Sequence, residues 1–372
     1  QKLLTVIGLM SGTSMDGIDA VIVKTNGIKI DRSKQNYSFS YCKSTKTLLQ
    51  EAEHNPLSFL KNKKRSELLS YKVTYDHIKC IEKIINKYNP KVDLIGFHGQ
   101  TIYHNPKKKK SIQIGDPSLM SKKTGIDVIS DFRLIDLKNG GQGAPLAPIY
   151  HKNLIHNLKL ELPSCFLNVG GIANITYLDE KYLIGFDIGP GNVLIDRFMQ
   201  KNQNMKFDFN GELASKGRII KNFLVKFNKD PYFSMKYPKS LDKNYFLEIY
   251  HLINQYKYKI EDKACTLTEL TVVSLINGIK HLPIVPKNIV ICGGGAKNSY
   301  LIKRLKDKLK QKKISVFLAD ELGLNSQMIE AELFAFLAAR SLSKLPITFP
   351  NTTGIKKELS GGVLYKKPSE CL

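Results

Sequence analysis

The sequence predicts an α/β protein of two related domains with a cleft between them. Its 372 residues exceed the usual size of one domain, and 42% of them are hydrophobic, enough for sizeable cores. Short β-branched runs alternate with amphipathic runs in both halves. One arrangement, an apolar strand, a Gly-rich turn and a β-branched strand, also occurs twice, first in "KLLTVIGLMSGTSMDGIDAVIVKT" and about 160 residues later in "SCFLNVGGIANITYL".

The elements follow in order. "KLLTVIGLM" and "IDAVIVKT" read as strands joined by the polar loop "SGTSMDG". "SELLSYKVTYDHIKCIEKIINKY" has helical spacing, and "VDLIGFHGQT" reads as one short buried strand. "KKSIQIGD" and "GIDVISDFR" lead to "DLKNGGQGAPLAP", whose Gly and Pro residues punctuate the chain and place the domain junction near residues 130–145. After the second hairpin, "KYLIGFDIGPGNVLIDRFMQ" reads as strand, tight loop and helix, with the first helical turn near Asn192. "TLTELTVVSLINGIKHL" reads as a helix capped by Thr266 or Thr268. "KNIVICGGGAKNSYLIKRLKDKL" gives a buried strand, three glycines and a helix with Leu301, Ile302, Leu305 and Leu309 on one face. A last helix is expected in "SQMIEAELFAFLAARSL".

Composition narrows the partners. No apolar run is long enough to span a membrane and the first residues do not read as a secretory signal, so a cytoplasmic location is expected. Six cysteines without C-x-x-C pairs argue against a zinc site or a disulfide framework. Lys and Arg exceed Asp and Glu by 57 to 33, a formal charge of +24, which raises the question of an anionic partner. The lysines lie in dispersed groups without a helix-turn-helix, RNP-like or finger pattern, so nucleic-acid binding is not expected.

The first loop poses the main chemical question. Gly12, Thr13, Ser14 and Gly17 offer backbone N–H groups and hydroxyls suited to phosphates, while Asp16 and Asp19 require an intervening cation, magnesium, if ATP binds there. A hairpin whose polar residues satisfy their own backbone is the alternative. A Walker A loop is excluded, because no lysine follows the glycine and the loop returns into a strand. Asp187, at a strand end before "GPGN", could act as a general base or brace its turn. Glu330 and Glu332 point to different helix faces, one towards the cleft and one towards solvent. His98 could donate to a ligand oxygen or be a satisfied structural residue; Arg133 and Gln142 could bind a carboxylate or hydroxyls, with a surface salt bridge as the ordinary role of Arg133. "GGGAKN" lacks the last glycine of a dinucleotide fingerprint, which disfavours a dehydrogenase.

"GLMSGTSMDGIDA", "GFHGQTIYH", "QIGDP", "DFRLIDLKNGGQGAPLAP", "NVGGIANIT", "GFDIGPGN" and "CGGGAKN" resemble, in this order, the motif series of the anhydro-N-acetylmuramic acid kinases. The resemblance implies two related actin-like, sugar-kinase-like domains of ribonuclease H-like type, with ATP in the interdomain cleft and the sugar beside it. Residues 1–133 with about 356–372 would form the N-terminal domain, and 134–355 the C-terminal one. The implied reaction opens 1,6-anhydro-N-acetylmuramic acid with water and phosphorylates O6 from ATP, with Mg2+, in peptidoglycan recycling. Asp187 is the implied base, and Glu330 matches a glutamate near the sugar. Gly12, Thr13, Ser14, Met15, Asp16, Gly17, Ile18 and Asp19 are the implied phosphate site, Gly170 and Asn174 further cofactor contacts, and Gly293, Gly294, Gly295 and Asn298 the adenosine side. His98, Gln100, Arg133 and Gln142 are the implied sugar contacts; no protein-held metal cluster is implied, and homodimerisation comes only with the resemblance.

Overall fold

The computed structural model describes residues 2–12, 15–242 and 245–369. Two compact units emerge, Gln1–Asn153 with Met328–Leu372, and Leu154–Gln327.

In the first unit β1 (Leu4–Met10), β2 (Gly17–Thr25) and β3 (Ile30–Ser40) form an antiparallel meander. Parallel to β1 runs β4 (Leu94–Phe97); β5 (Gln100–Asn105) and β6 (Lys110–Ile114) then make a separate hairpin, and β7 (Asp127–Ser130) lies parallel to β4. A final strand, Val363–Tyr365, closes the edge against β7. In the second unit β8 (Ser164–Val169), β9 (Ile172–Leu178) and β10 (Leu183–Pro190) repeat the meander, and β11 (Asn288–Cys292) and β12 (Ser315–Leu318) repeat the parallel pair. The spatial orders β3-β2-β1-β4-β7 and β10-β9-β8-β11-β12 are the same path, that of a ribonuclease H-like unit, so the repeat suspected from the two hairpins extends to both sheets.

The pleat decides what covers each face. Ile7 and Leu9 of β1 join Leu69, Val73 and Ile81 of the helix Lys63–Tyr88 in one core. Gly8 and its neighbour Gly96 on β4 face the other way. A Cβ on Gly8 would stand 1.9 Å from the Ala331 carbonyl oxygen, and one on Gly96 2.2 Å from that of Phe334. Both glycines therefore let the backbone of the helix Ile329–Leu342 rest on the sheet. This contact corrects the expected domain boundary: the helix and the segment after it belong to the first unit, not to a second domain reaching residue 355, and the first crossing of the chain falls at 153–154 rather than near 133.

Two local expectations also change. "VDLIGFHGQT" is not one strand: β4 ends at Phe97, Gly99 takes a positive φ of 77°, and β5 begins at Gln100. The helix expected from Thr266 starts at Ile260, and Thr266 lies inside it, where its hydroxyl donates to the Asp262 carbonyl at 2.7 Å and accepts from the Ile220 N–H at 3.0 Å. The predicted apolar face of Leu301, Ile302, Leu305 and Leu309 is buried on the helix Ser299–Lys310. Among the described residues no helix is long and apolar enough to cross a membrane.

Candidate active site

In the first unit the loop between β1 and β2 is propped from outside. The Gln100 side chain, 0% exposed, donates to the Gly12 carbonyl at 3.0 Å and accepts from the Tyr41 hydroxyl at 3.2 Å. Ser11 donates to the Gly99 carbonyl at 3.3 Å, and the Tyr41 N–H donates to the Asp16 carbonyl at 3.3 Å. Met15 adopts a φ of 55° and buries its side chain, as does Ile18, so both can offer a ligand only their backbone. Asp16 meets Lys46 at 2.8 Å, and Asp19 accepts from Ser38 at 2.5 Å. Gly17 is glycine because a Cβ would stand 2.3 Å from the Phe39 carbonyl oxygen, which is a packing reason. Thr13 and Ser14 lie outside the described residues.

Two expected sugar contacts turn out to be internal. His98 is buried; its Nδ1 donates to the Gly99 carbonyl at 3.0 Å, which leaves Nε2 to accept from Arg133 Nε at 3.0 Å. Burial first, then the Arg133 charge, hold its pKa well below the ordinary value, so the ring is neutral. With both nitrogens committed, His98 orients Arg133 rather than donating to a ligand. Gln100, with both ends of its amide engaged, likewise braces Gly12.

Arg133 also donates to the Gly143 carbonyl at 2.7 Å. That loop is organised by Asp136, a residue the sequence did not single out. Its carboxylate accepts from the Gly143 N–H at 2.7 Å and from the Thr353 hydroxyl at 2.5 Å. Gln142 is held by its N–H on the Thr353 carbonyl at 2.8 Å. On the helix Ile329–Leu342 the expected pairing of one cleft-facing and one solvated glutamate fails for Glu332. It is 1% exposed, 2.9 Å from Arg32 Nε and 2.6 Å from the Tyr150 hydroxyl. Glu330 is half-buried.

In the second unit the register draws one polar row across the sheet. Cys292 pairs with Asn168, Asn168 with Asn174, and Asn174 with Asp187. Opposed residues share a face, so these side chains project together, on the side opposite the core formed by Leu167, Ile175, Phe186 and Ile291. Asp187 is 8% exposed, and its Oδ2 accepts from the Leu241 N–H at 2.8 Å. Beside it the Asn174 Oδ1 is buried and finds no hydrogen-bond partner among the described residues, a state native proteins rarely leave unfilled.

The glycines around this row separate into two kinds. Gly191 is forced, since a Cβ there would meet the Gly170 carbonyl oxygen at 2.1 Å; Gly293 has a φ of 83° and would meet Asn168 Oδ1 at 2.3 Å; Gly295 would meet Val169 at 2.4 Å. Gly170 and Gly294 have open space, with nearest atoms at 3.5 and 3.8 Å, so neither packing nor a positive φ explains them. Asn298 is the cap of the helix Ser299–Lys310, its side-chain oxygen accepting from the Leu301 N–H at 3.0 Å.

The comparisons with known proteins agree with the motif series. The sequence model described as anhydro-N-acetylmuramic acid kinase matches residues 4–367. A protein of that name from Agrobacterium fabrum is 37% identical over 97% of this chain and 98% of its own, and one from Rhodopseudomonas palustris is 37% identical over 98% and 100%. Among solved structures, component A of the Acidaminococcus fermentans (R)-2-hydroxyglutaryl-CoA dehydratase is similar at 13% identity, with a TM-score of 0.48 and coverage of 92% and 100%. A full-length match to the family and relatives above a third identity over nearly every residue place the chain in the anhydro-N-acetylmuramic acid kinase family.

Proposed function

We propose that this protein opens 1,6-anhydro-N-acetylmuramic acid with water and phosphorylates its O6 from ATP, giving N-acetylmuramic acid 6-phosphate and ADP in the recycling of peptidoglycan. The observation that carries the reading is Asp187: a carboxylate fixed at a strand end by the Leu241 N–H, within a polar row and next to an unsatisfied Asn174 oxygen.

In this reading Asp187 accepts a proton from water as the water oxygen bonds to C1. The C1–O6 bond breaks, and O6 takes the γ-phosphoryl group while ADP departs, so no separate strong acid is needed to release O6. A positioned base of this kind contributes roughly 10²–10⁴-fold. Asn174 supplies an amide oxygen to a donor on the bound ligand, and the open faces of Gly170 and Gly294 let the nucleotide approach the backbone. Arg133, aimed by His98 and the Gly143 carbonyl, is suited to the lactyl carboxylate of the sugar, and Gln142 to its hydroxyls. Glu330 remains a candidate sugar contact.

Among the described residues no cluster of three His, Cys, Asp or Glu could hold a metal. Magnesium would arrive on the nucleotide phosphates, and Asp16 or Asp19, the carboxylates at the first loop, would hold it through water. When bound, magnesium neutralises charge on the phosphates.

The test is direct: incubate the protein with ATP, Mg2+ and the anhydrosugar, and follow ADP and the sugar 6-phosphate by mass spectrometry. Both should appear in equal amounts and only with sugar present. ADP release indifferent to the sugar would replace this reading with a phosphohydrolase.

A further inference from the structure

The hairpin of β5 and β6 stands apart from the main sheet of the first unit and touches both of that unit's candidate loops. Its first residue, Gln100, holds the Gly12 carbonyl at 3.0 Å. A Cβ on Gly99, just before β5, would stand 3.4 Å from the Gln113 Cβ, and at the far end one on Gly140 would stand 3.5 Å from Lys109 Nζ. The hairpin therefore runs from the β1–β2 loop to the loop that Asp136 organises.

Its register gives it two unlike faces. Thr101 pairs with Gln113, Tyr103 with Ile112 and His104 with Ser111, with a bulge between Thr101 and Tyr103. Ile102, Tyr103, Ile112 and Ile114 join the core. The bulge brings Thr101 and His104 to the other face, beside Gln113 and Ser111; in an unbroken strand two residues three apart would point opposite ways. This polar face is half-buried, so a ligand can reach it.

Gln113 spends both N–H groups of its amide here, donating from Nε2 to Thr101 Oγ1 at 3.1 Å and to Ser111 Oγ at 2.8 Å. Its Oε1 is left as an acceptor, and each hydroxyl, having accepted one bond, still has its own proton to give. Among the described residues these groups make no further side-chain bond. Across from Ser111, both ring nitrogens of His104 are buried without a partner among the described residues, so the face carries more polar atoms than the protein satisfies.

We propose that Thr101, Ser111 and Gln113 form a subsite that reads the free O4 hydroxyl of the anhydrosugar, O4–H donating to Gln113 Oε1 while O4 accepts from the Ser111 or Thr101 hydroxyl. A sugar hydroxyl gives and takes a bond at one atom, which matches an acceptor flanked by two donors, whereas a carboxylate would be repelled by Gln113 Oε1. The inference rests on the proposed substrate. There O1 and O6 are joined in the bridge, O3 carries the lactyl group and C2 the acetamido group, so O4 is the ring hydroxyl left to read.

The experiment is a cycle of two changes, one in the protein and one in the sugar. With ATP and Mg2+, kcat/KM would be measured for wild type and Gln113→Leu on the anhydrosugar and on its 4-deoxy analogue. Wild type should lose about 10–100-fold on the analogue, Gln113→Leu should lose a similar factor on the natural sugar, and the variant should then barely distinguish the two sugars. Ser111→Ala and Thr101→Val each leave Gln113 held by the other hydroxyl, so they carry the test if Gln113→Leu disturbs folding, and each should shrink the preference in part. Variants that discriminate against the deoxy sugar as strongly as wild type overturn the subsite, as does a wild type that uses both sugars equally well. Failure of wild type to turn over the natural sugar overturns the proposed function, and the inference with it.

Discussion

In the first unit β1 ends at Met10 and β2 begins only at Gly17, whereas in the second the equivalent strands β8 and β9 turn on Gly170 and Gly171 alone. The long loop needs props from elsewhere in its unit, Gln100 on Gly12 and Tyr41 on Asp16. The short turn is locked to the loop that follows β10: Gly191 N–H and Val193 N–H donate to the Gly171 carbonyl at 2.9 and 3.1 Å, and Asn192 N–H to that of Gly170 at 2.8 Å. One strand order thus supports two kinds of equipment, a braced polar loop in the first unit and a carboxylate on a rigid sheet in the second. A shared strand order therefore leaves the differences between the units to the turns and to the side chains at the strand ends.

The units differ as well in what they bury. The first holds His77, His104 and His151 with pKa values lowered by burial to about 4, 3 and 3, and His98 lower than usual for the same reason. The second holds Asp196, which burial pushes up to about 7. Each such histidine binds fewer protons folded than unfolded below its ordinary value of 6.5, so it removes about 1.4 kcal/mol of stability per pH unit as the pH falls towards its folded value. Asp196 acts in the opposite sense: its folded pKa lies above the ordinary carboxylate value of 3.8, so the stability it contributes is present in acid and lost as pH rises through about 7.

The largest effect that would sharpen the contrast is therefore an unequal response to acid. Urea unfolding at pH 7 and pH 5, with limited proteolysis to tell the units apart, should show residues 1–153 and 328–372 losing several kcal/mol while 154–327 holds or gains. Earlier failure of 154–327 in acid would break it. A smaller effect separates the two kinds of glycine. Gly293→Ala should cost about 1–3 kcal/mol, because φ is 83° and the new methyl meets Asn168. Gly294→Ala should stay within about 0.5 kcal/mol of wild type in thermal melts yet raise the KM for ATP. The reverse pattern would mean that the open glycine serves packing.

Much of this was legible in the sequence where the signal is local. β-branched runs ending in glycine marked both hairpins, and the spacing of Leu301, Ile302, Leu305 and Leu309 marked a helix. β3 was missed because "IDRSKQNYSFS" is half-exposed throughout, so no apolar alternation betrays an edge strand. The start of the helix Ile260–Ile279 was missed because its first residues, "IEDK", are mostly charged and only half-buried, without the apolar run that follows them. The helix Ile329–Leu342 was legible as a helix, but its unit was not, since only the fold brings Ala331 and Phe334 onto Gly8 and Gly96. The candidate site shows the same division. Asp187 stands out beside "GPGN", but Asp136 acts through Thr353, 217 positions away. His98, Gln100 and Asn298 had residue types suited to ligands, and only their partners show that they serve the protein's own backbone and Arg133.

The most direct test of the central claim is the turnover of Asp187→Asn on the anhydrosugar with ATP and Mg2+, measured beside its ATP affinity. The account predicts normal nucleotide binding and a loss of roughly 10²–10⁴-fold in kcat, the contribution of a positioned base. Near-normal kcat with the same affinity would contradict it and return Asp187 to the role of a residue that braces its turn.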